Sequence, residues 1–164
     1  MHRDLFVTLC MKMFVGLSQL DDELSKEHCA EIERLFVRQM FFENVLDRDD
    51  YIRALGALSS YFARLVRCKE TSMCAVSKLL VSLIEHHILT LTLIHSVLSE
   101  AQCVISNDIC YEVIKYLMHS ASGNSQKIDG LIGEMKRLRF GGDVTPDFEP
   151  IFRSLNIDYS LFAH

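Results

Sequence analysis

Apolar residues recur along this chain at steps of three and four, the spacing that places side chains on one face of an α-helix. The clearest run joins Tyr51, Leu55, Leu58, Phe62 and Leu65. Residues that break helices are scarce, because the first 145 residues contain no proline and the first 122 contain only Gly16 and Gly56. The pattern therefore predicts helices joined by short polar turns.

Polar residues that can cap a helix mark most of the predicted boundaries. We predict long helices over Asp4–Ser18, Ser25–Asn44, Tyr51–Cys68, Thr71 or Ser72 to His87, Thr90–Ala101, Ser106 or Asn107 to Gly123, and Ser125–Gly141. A short helix from Pro146 to Leu155 follows them. Residues 88–94 alternate as a strand would, but the chain offers no second strand to pair with them. We therefore expect a helix or a helix junction there.

The predicted helices pair at a period of roughly 40 residues, with pairs that begin near Asp4, Asp50 and Thr90. This period resembles that of HEAT-type, armadillo-type and organellar helical-repeat proteins, and the resemblance implies an α-solenoid of stacked hairpins. A compact helical bundle is the second architecture that fits. Both are all-α folds of seven to eight helices. We expect residues 1–142 to form about seven helices, and residues 143–164 to add a short helix and a docking tail to the same domain.

The first predicted helix is apolar around most of its circumference, apart from a thin line of Asp4, Thr8 and Lys12. Such a helix is expected to be buried on two sides. One side would face the protein's own core, through Phe6, Cys10, Met13, Phe14 and Leu17. The other would face a partner, through Leu5, Leu9 and Met11, with Val7 and Val15 beside them. Phe41 and Phe42 extend this predicted partner-binding surface at the end of the second helix.

The composition indicates a folded chain that contains more apolar residues than a small monomer needs for its own core. Of its 164 residues, 49% are apolar and 24% are charged. This apolar share is at the top of the range for globular domains, and the surplus favours burial against other protein subunits.

The net charge of −5 is concentrated at one end of the chain. Residues 1–50 hold 11 acidic and 6 basic residues, whereas residues 51–164 hold 11 of each. An acidic balance disfavours polyanions, and we expect no DNA partner. The one basic cluster is a candidate RNA contact, although the pattern favours a solvated helix C-terminus that suits the helix dipole. It comprises Lys127, Lys136, Arg137 and Arg139.

The sequence contains no pattern typical of catalysis or of a cofactor site. Its six cysteines and seven histidines lack zinc-ligand spacing, and it has no phosphate-binding glycine loop or nucleophile motif. We therefore expect no metal, no cofactor and no enzymatic activity. The start of the chain does not resemble a secretion signal, so we expect reduced cysteines in an intracellular compartment, cytoplasmic or mitochondrial. Within the most hydrophobic stretch, Leu79–Leu98, the uninterrupted run of apolar residues and threonine is only Ile88–Ile94, which is too short for a membrane span.

These observations favour a non-enzymatic scaffold or adaptor that works through protein–protein contacts within a larger assembly. The alternative is an RNA-associated helical-repeat protein in a ribonucleoprotein such as an organellar ribosome. The repeat-like period and the basic cluster support this alternative, and the acidic first 50 residues weaken it.

Overall fold

The computed structural model describes residues 3–18, 23–43, 46–64, 70–100, 106–138 and 146–163. These residues form helices and turns and no strand, which confirms the all-α fold class. The helices are α1 (Arg3–Ser18), α2 (Glu23–Glu33, continued by a π-helical segment, Arg34–Gln39, and by Met40–Phe42), α3 (Arg48–Arg64), α4 (Glu70–Glu85), α5 (Leu91–Glu100), α6 (Ser106–Ser120), α7 (Ser125–Arg137), α8 (Glu149–Ser154) and α9 (Ser160–Ala163).

Packing between helices follows the order of the chain. The first hairpin, α1–α2, packs on the second through contacts of α1 with α3 and α4. The second hairpin packs on the third through contacts of α3 with α5 and of α4 with α6. Helix α7 then packs on α5 and α6, and α9 packs on α7. Each successive pair of helices thus contacts the next pair, an arrangement that fits both stacked hairpins and a compact bundle.

The centre of the core is α4, which lies between α1 and α6. Leu79, Leu80 and Leu83 on α4 are almost fully buried. Truncation of such a leucine to alanine typically costs about 2–5 kcal/mol. Apolar residues line the inner faces of α6 and α7. They comprise the buried residues Ile109, Val113, Ile114 and Leu117 on α6, and Ile128, Ile132 and Met135 on α7.

Aromatic rings hold the C-terminal segment against the core. Tyr111 on α6 stacks on the buried Phe148, with ring centroids 5.8 Å apart. Phe162 meets Phe148 edge to face at 5.5 Å, and Tyr159 meets Phe152 in the same way at 5.2 Å. These contacts connect Tyr159 and Phe162 to the buried rings of Phe148 and Phe152.

Polar side chains cap α3 and α5 where the sequence predicted turns. Asp47 Oδ1 accepts a hydrogen bond from the Asp50 backbone N–H, and Asp50 Oδ2 accepts one from the Asp47 N–H, both at 2.9 Å. This reciprocal capping box satisfies two N–H groups at the start of α3. Thr90 Oγ1 accepts from the Leu93 N–H at 3.2 Å, so residues 88–94 form a helix junction as expected.

Several predicted helix starts are wrong by one to three residues. Helix α2 begins at Glu23 rather than Ser25, and α4 begins at Glu70 rather than at a Thr71 or Ser72 cap. An acidic residue in the first turn is favoured by the helix dipole, which explains how these glutamates extend both helices. Asn124, not Ser125, caps α7, because its side chain accepts from the Lys127 N–H.

The start of α8 also differs from its prediction. Pro146 precedes the helix, and Pro150 is the proline that lies in its first turn. Proline is tolerated there because the first-turn N–H groups have no partner within the helix. The predicted glycine end of α7, Gly141–Gly142, lies outside the described residues, and α7 ends at Arg137.

Helix α4 ends in a Schellman motif, closed by a residue other than glycine. The Ile88 N–H bonds to the Leu83 carbonyl at 3.0 Å, and the His87 N–H bonds to the Ile84 carbonyl at 3.0 Å. His87 has a φ of 59°, the left-handed conformation that this motif requires. Arg48, in the first turn of α3, donates to the Ile88 carbonyl at 2.9 Å and to the His87 carbonyl at 3.3 Å. Arg48 thereby joins the start of α3 to the end of α4.

Candidate protein interface

Among the described side chains of α1, those on the inner face include a polar one. Val7 is fully buried and Thr8 is nearly so, while Cys10 is half-buried against the same core. Burial raises the pKa of the Cys10 thiol above its usual range. Together, these three residues anchor α1 on α3 and α4.

The outer face of α1 carries four large apolar side chains that are about half exposed. Leu5 is 55% exposed, Phe6 43%, Leu9 50% and Met13 58%. Leu5, Leu9 and Met13 are four residues apart, so they form one line over about two turns of helix. We call these four residues the α1 stripe. Their combined exposed area is on the order of a few hundred Å², the size at which an apolar patch on a monomer is often functional.

This orientation of α1 corrects part of the sequence prediction. Phe6 and Met13 were expected in the core and are exposed, whereas Val7 was expected outside and is buried. A helix that is apolar on nearly every side has no polar face opposite an apolar one. The spacing of its apolar residues therefore could not show which face of α1 points to the core. The exposure of Leu5 and Leu9 is compatible with their predicted partner contact. The side chain of Met11 lies outside the described residues.

Phe41 and Phe42, at the end of α2, have different roles. Phe41 is half-buried and packs edge-on against the buried Tyr51, with centroids 6.1 Å apart. Burial raises the pKa of the Tyr51 phenol, beside which the Asp50 carboxylate acts in the same direction. Phe42 is 62% exposed, and its ring lies 6.5 Å from that of His86 on the outside of the protein. Of the two predicted contact residues, Phe42 is the accessible one.

The π-helical segment of α2 begins directly after a residue that is hydrogen-bonded to α4. Ser82 on α4 donates a hydrogen bond to Glu33 Oε1 at 2.8 Å, directly before the π-helical turns begin. Insertions of this kind occur frequently at functional sites. The periodic pattern of the sequence did not predict this segment.

Three exposed carboxylates follow one line along α2. Glu23, Glu27 and Glu31 are exposed and four residues apart, so they follow one line along the helix. Lys26 pairs with Glu23, and Arg34 pairs with Glu31, in exposed ion pairs that contribute little to stability. Because α2 packs on α1, this line of carboxylates belongs to the same hairpin as the α1 stripe.

The predicted basic cluster is not a single surface. Lys127 lines a groove of about 560 Å³ between the ends of α4, α6 and α7, together with Glu85 and Glu134. Lys136 is nine residues further on, which corresponds to about two and a half helical turns and places it on the opposite side of α7. Lys136 and Arg137 are exposed in the last turn of α7, and Arg139 lies outside the described residues.

One histidine–cysteine pair comes together that sequence reasoning did not identify. His95 Nδ1 on α5 lies 3.3 Å from Cys110 Sγ on α6, and both residues are buried. The pairing depends on how two helices pack, so spacing along the chain could not reveal it. A nucleophile must reach its substrate, and this pair is enclosed by the core. We therefore interpret it as a packing contact between α5 and α6.

The cysteine thiols and the remaining titratable residues show no further site within the described ranges. Cys10, Cys29 and Cys110 are present as thiols, while the side chains of Cys68, Cys74 and Cys103 are not among those described. No group of three or more histidine, cysteine or acidic side chains in the described part of the chain could hold a metal ion. Among the described helices, none has the length and apolar character needed to cross a membrane.

Comparison of this chain with protein-family models, with curated proteins and with solved structures finds no match. Its surface geometry is therefore the basis for the functional proposal.

Proposed function

We propose that this protein is a non-enzymatic helical adaptor or scaffold subunit that joins a larger assembly through protein–protein contacts. The observation that carries the proposal is the α1 stripe, a continuous line of half-exposed Leu, Phe and Met side chains on a helix whose other face is anchored in the core. Burial of one large apolar side chain is worth about 1.5–3 kcal/mol, so a partner that covers these four gains substantial free energy.

The position of the stripe supports an adaptor role. Helix α1 belongs to the first hairpin, and its contacts with α2, α3 and α4 hold the inner face in place. The outer face is thus presented on a fixed helix rather than on a loop, so a partner would not have to order the helix in order to bind it.

The test compares assemblies formed by the full chain and by a variant with Leu5→Glu and Leu9→Glu. Affinity-tagged proteins would be expressed in their native cells, and the proteins that co-purify at near-stoichiometric amounts would be quantified. We expect the double variant to lose these partners while its helicity and its melting temperature remain close to those of the unmodified chain.

Leu161→Glu is the matched control, because Leu161 on α9 is 49% exposed and resembles Leu9 in type and exposure. It should retain the partners. If the double variant keeps every partner, the α1 stripe is not the interface. If it unfolds the protein, Leu5 and Leu9 contribute to the core, and the proposal also fails.

RNA association is the second candidate function, favoured by the exposed Lys136 and Arg137 at the end of α7. Its support is reduced because Lys127 lies in a separate groove beside two carboxylates. Replacement of Lys136 and Arg137 by alanine should weaken binding of single-stranded RNA if this candidate holds, with a reduced dependence on salt. Absence of RNA binding at low salt would exclude a direct contact.

A further inference from the structure

We draw no further inference here: the strongest candidate, the half-exposed apolar stripe of Leu5, Phe6, Leu9 and Met13 on the outer face of α1, belongs to the site already described, and nothing in the described part of the structure shows what covers it.

Discussion

The rotation of α1 about its own axis decides which side chains are available to a partner, and one substitution series tests it. Glutamine placed at Val7, Leu9 or Phe6 in separate variants introduces the same polar side chain at a buried position and at two exposed positions. Glutamine favours helix formation about as well as leucine, so the intrinsic helix propensity of the new residue does not dominate the comparison.

The expected costs follow from burial. Val7 is fully buried, so Val7→Gln loses about 1.5 kcal/mol of apolar transfer free energy and buries an amide at a further cost of about 1–3 kcal/mol. We expect a total of about 3 kcal/mol, which lowers Tm by roughly 6–12 °C in a chain of this size. Leu9 is 50% exposed, so Leu9→Gln should cost less than about 1 kcal/mol.

Thermal unfolding followed by circular dichroism, with urea unfolding to obtain free energies, would measure these differences. Phe6→Gln is the most informative third variant. If it destabilises the protein more than Val7→Gln does, then α1 is rotated so that Phe6 faces the core, and our description of the α1 stripe is wrong. Equal effects of Val7→Gln and Leu9→Gln would refute the distinction between the two faces.

The α3 cap, the left-handed His87, the Ser82 hydrogen bond and the Cys10 thiol can each be tested by one measurement. Asp47→Ala removes the α3 cap and should cost about 1 kcal/mol in urea unfolding, whereas Asp49→Ala should cost less than about 0.5 kcal/mol. His87→Gly relieves a left-handed side-chain conformation and should stabilise by about 0.5–1 kcal/mol; a loss of stability would show that its imidazole makes an important contact. Ser82→Ala removes a hydrogen bond to a carboxylate between α4 and α2 and should cost about 1.5–3 kcal/mol in the same assay. Since burial raises the pKa of the Cys10 thiol, less thiolate is present at a given pH, and alkylation followed by mass spectrometry should be slower in the folded protein than in urea.

The sequence was most informative where a helix has one apolar face and one polar face. On α7, the steps from Ile128 to Ile132 and Met135 alternate with charged residues, so the pattern determined both the helix and its inner face. The Asp47–Asp50 turn and the Thr90 cap were also predictable, because short polar side chains favour these positions for local reasons. Interactions within a few residues of each other suffice for all of these features.

Features that depend on tertiary packing could not be predicted in this way. The rotation of α1 depends on which of many apolar residues fits between α3 and α4, a matter of shape rather than hydrophobicity. The contact between His95 and Cys110 and the bond between Ser82 and Glu33 join residues from different helices. As a result, the sequence identified Leu5 and Leu9 as candidate contacts but assigned Phe6 and Met13 to the wrong side.

The bonds from Arg48 to the His87 and Ile88 carbonyls have a consequence for how the protein opens. They join the first turn of α3 to the residues that end α4, so we expect these two segments to open together. Local opening in proteins occurs in cooperative units. Because Arg48 joins α3 to the turn between α4 and α5, we expect this turn to open together with α3 and α4. The Ile88 and Leu89 amides, both bonded to the Leu83 carbonyl, should therefore exchange their hydrogens with solvent in step with the start of α3.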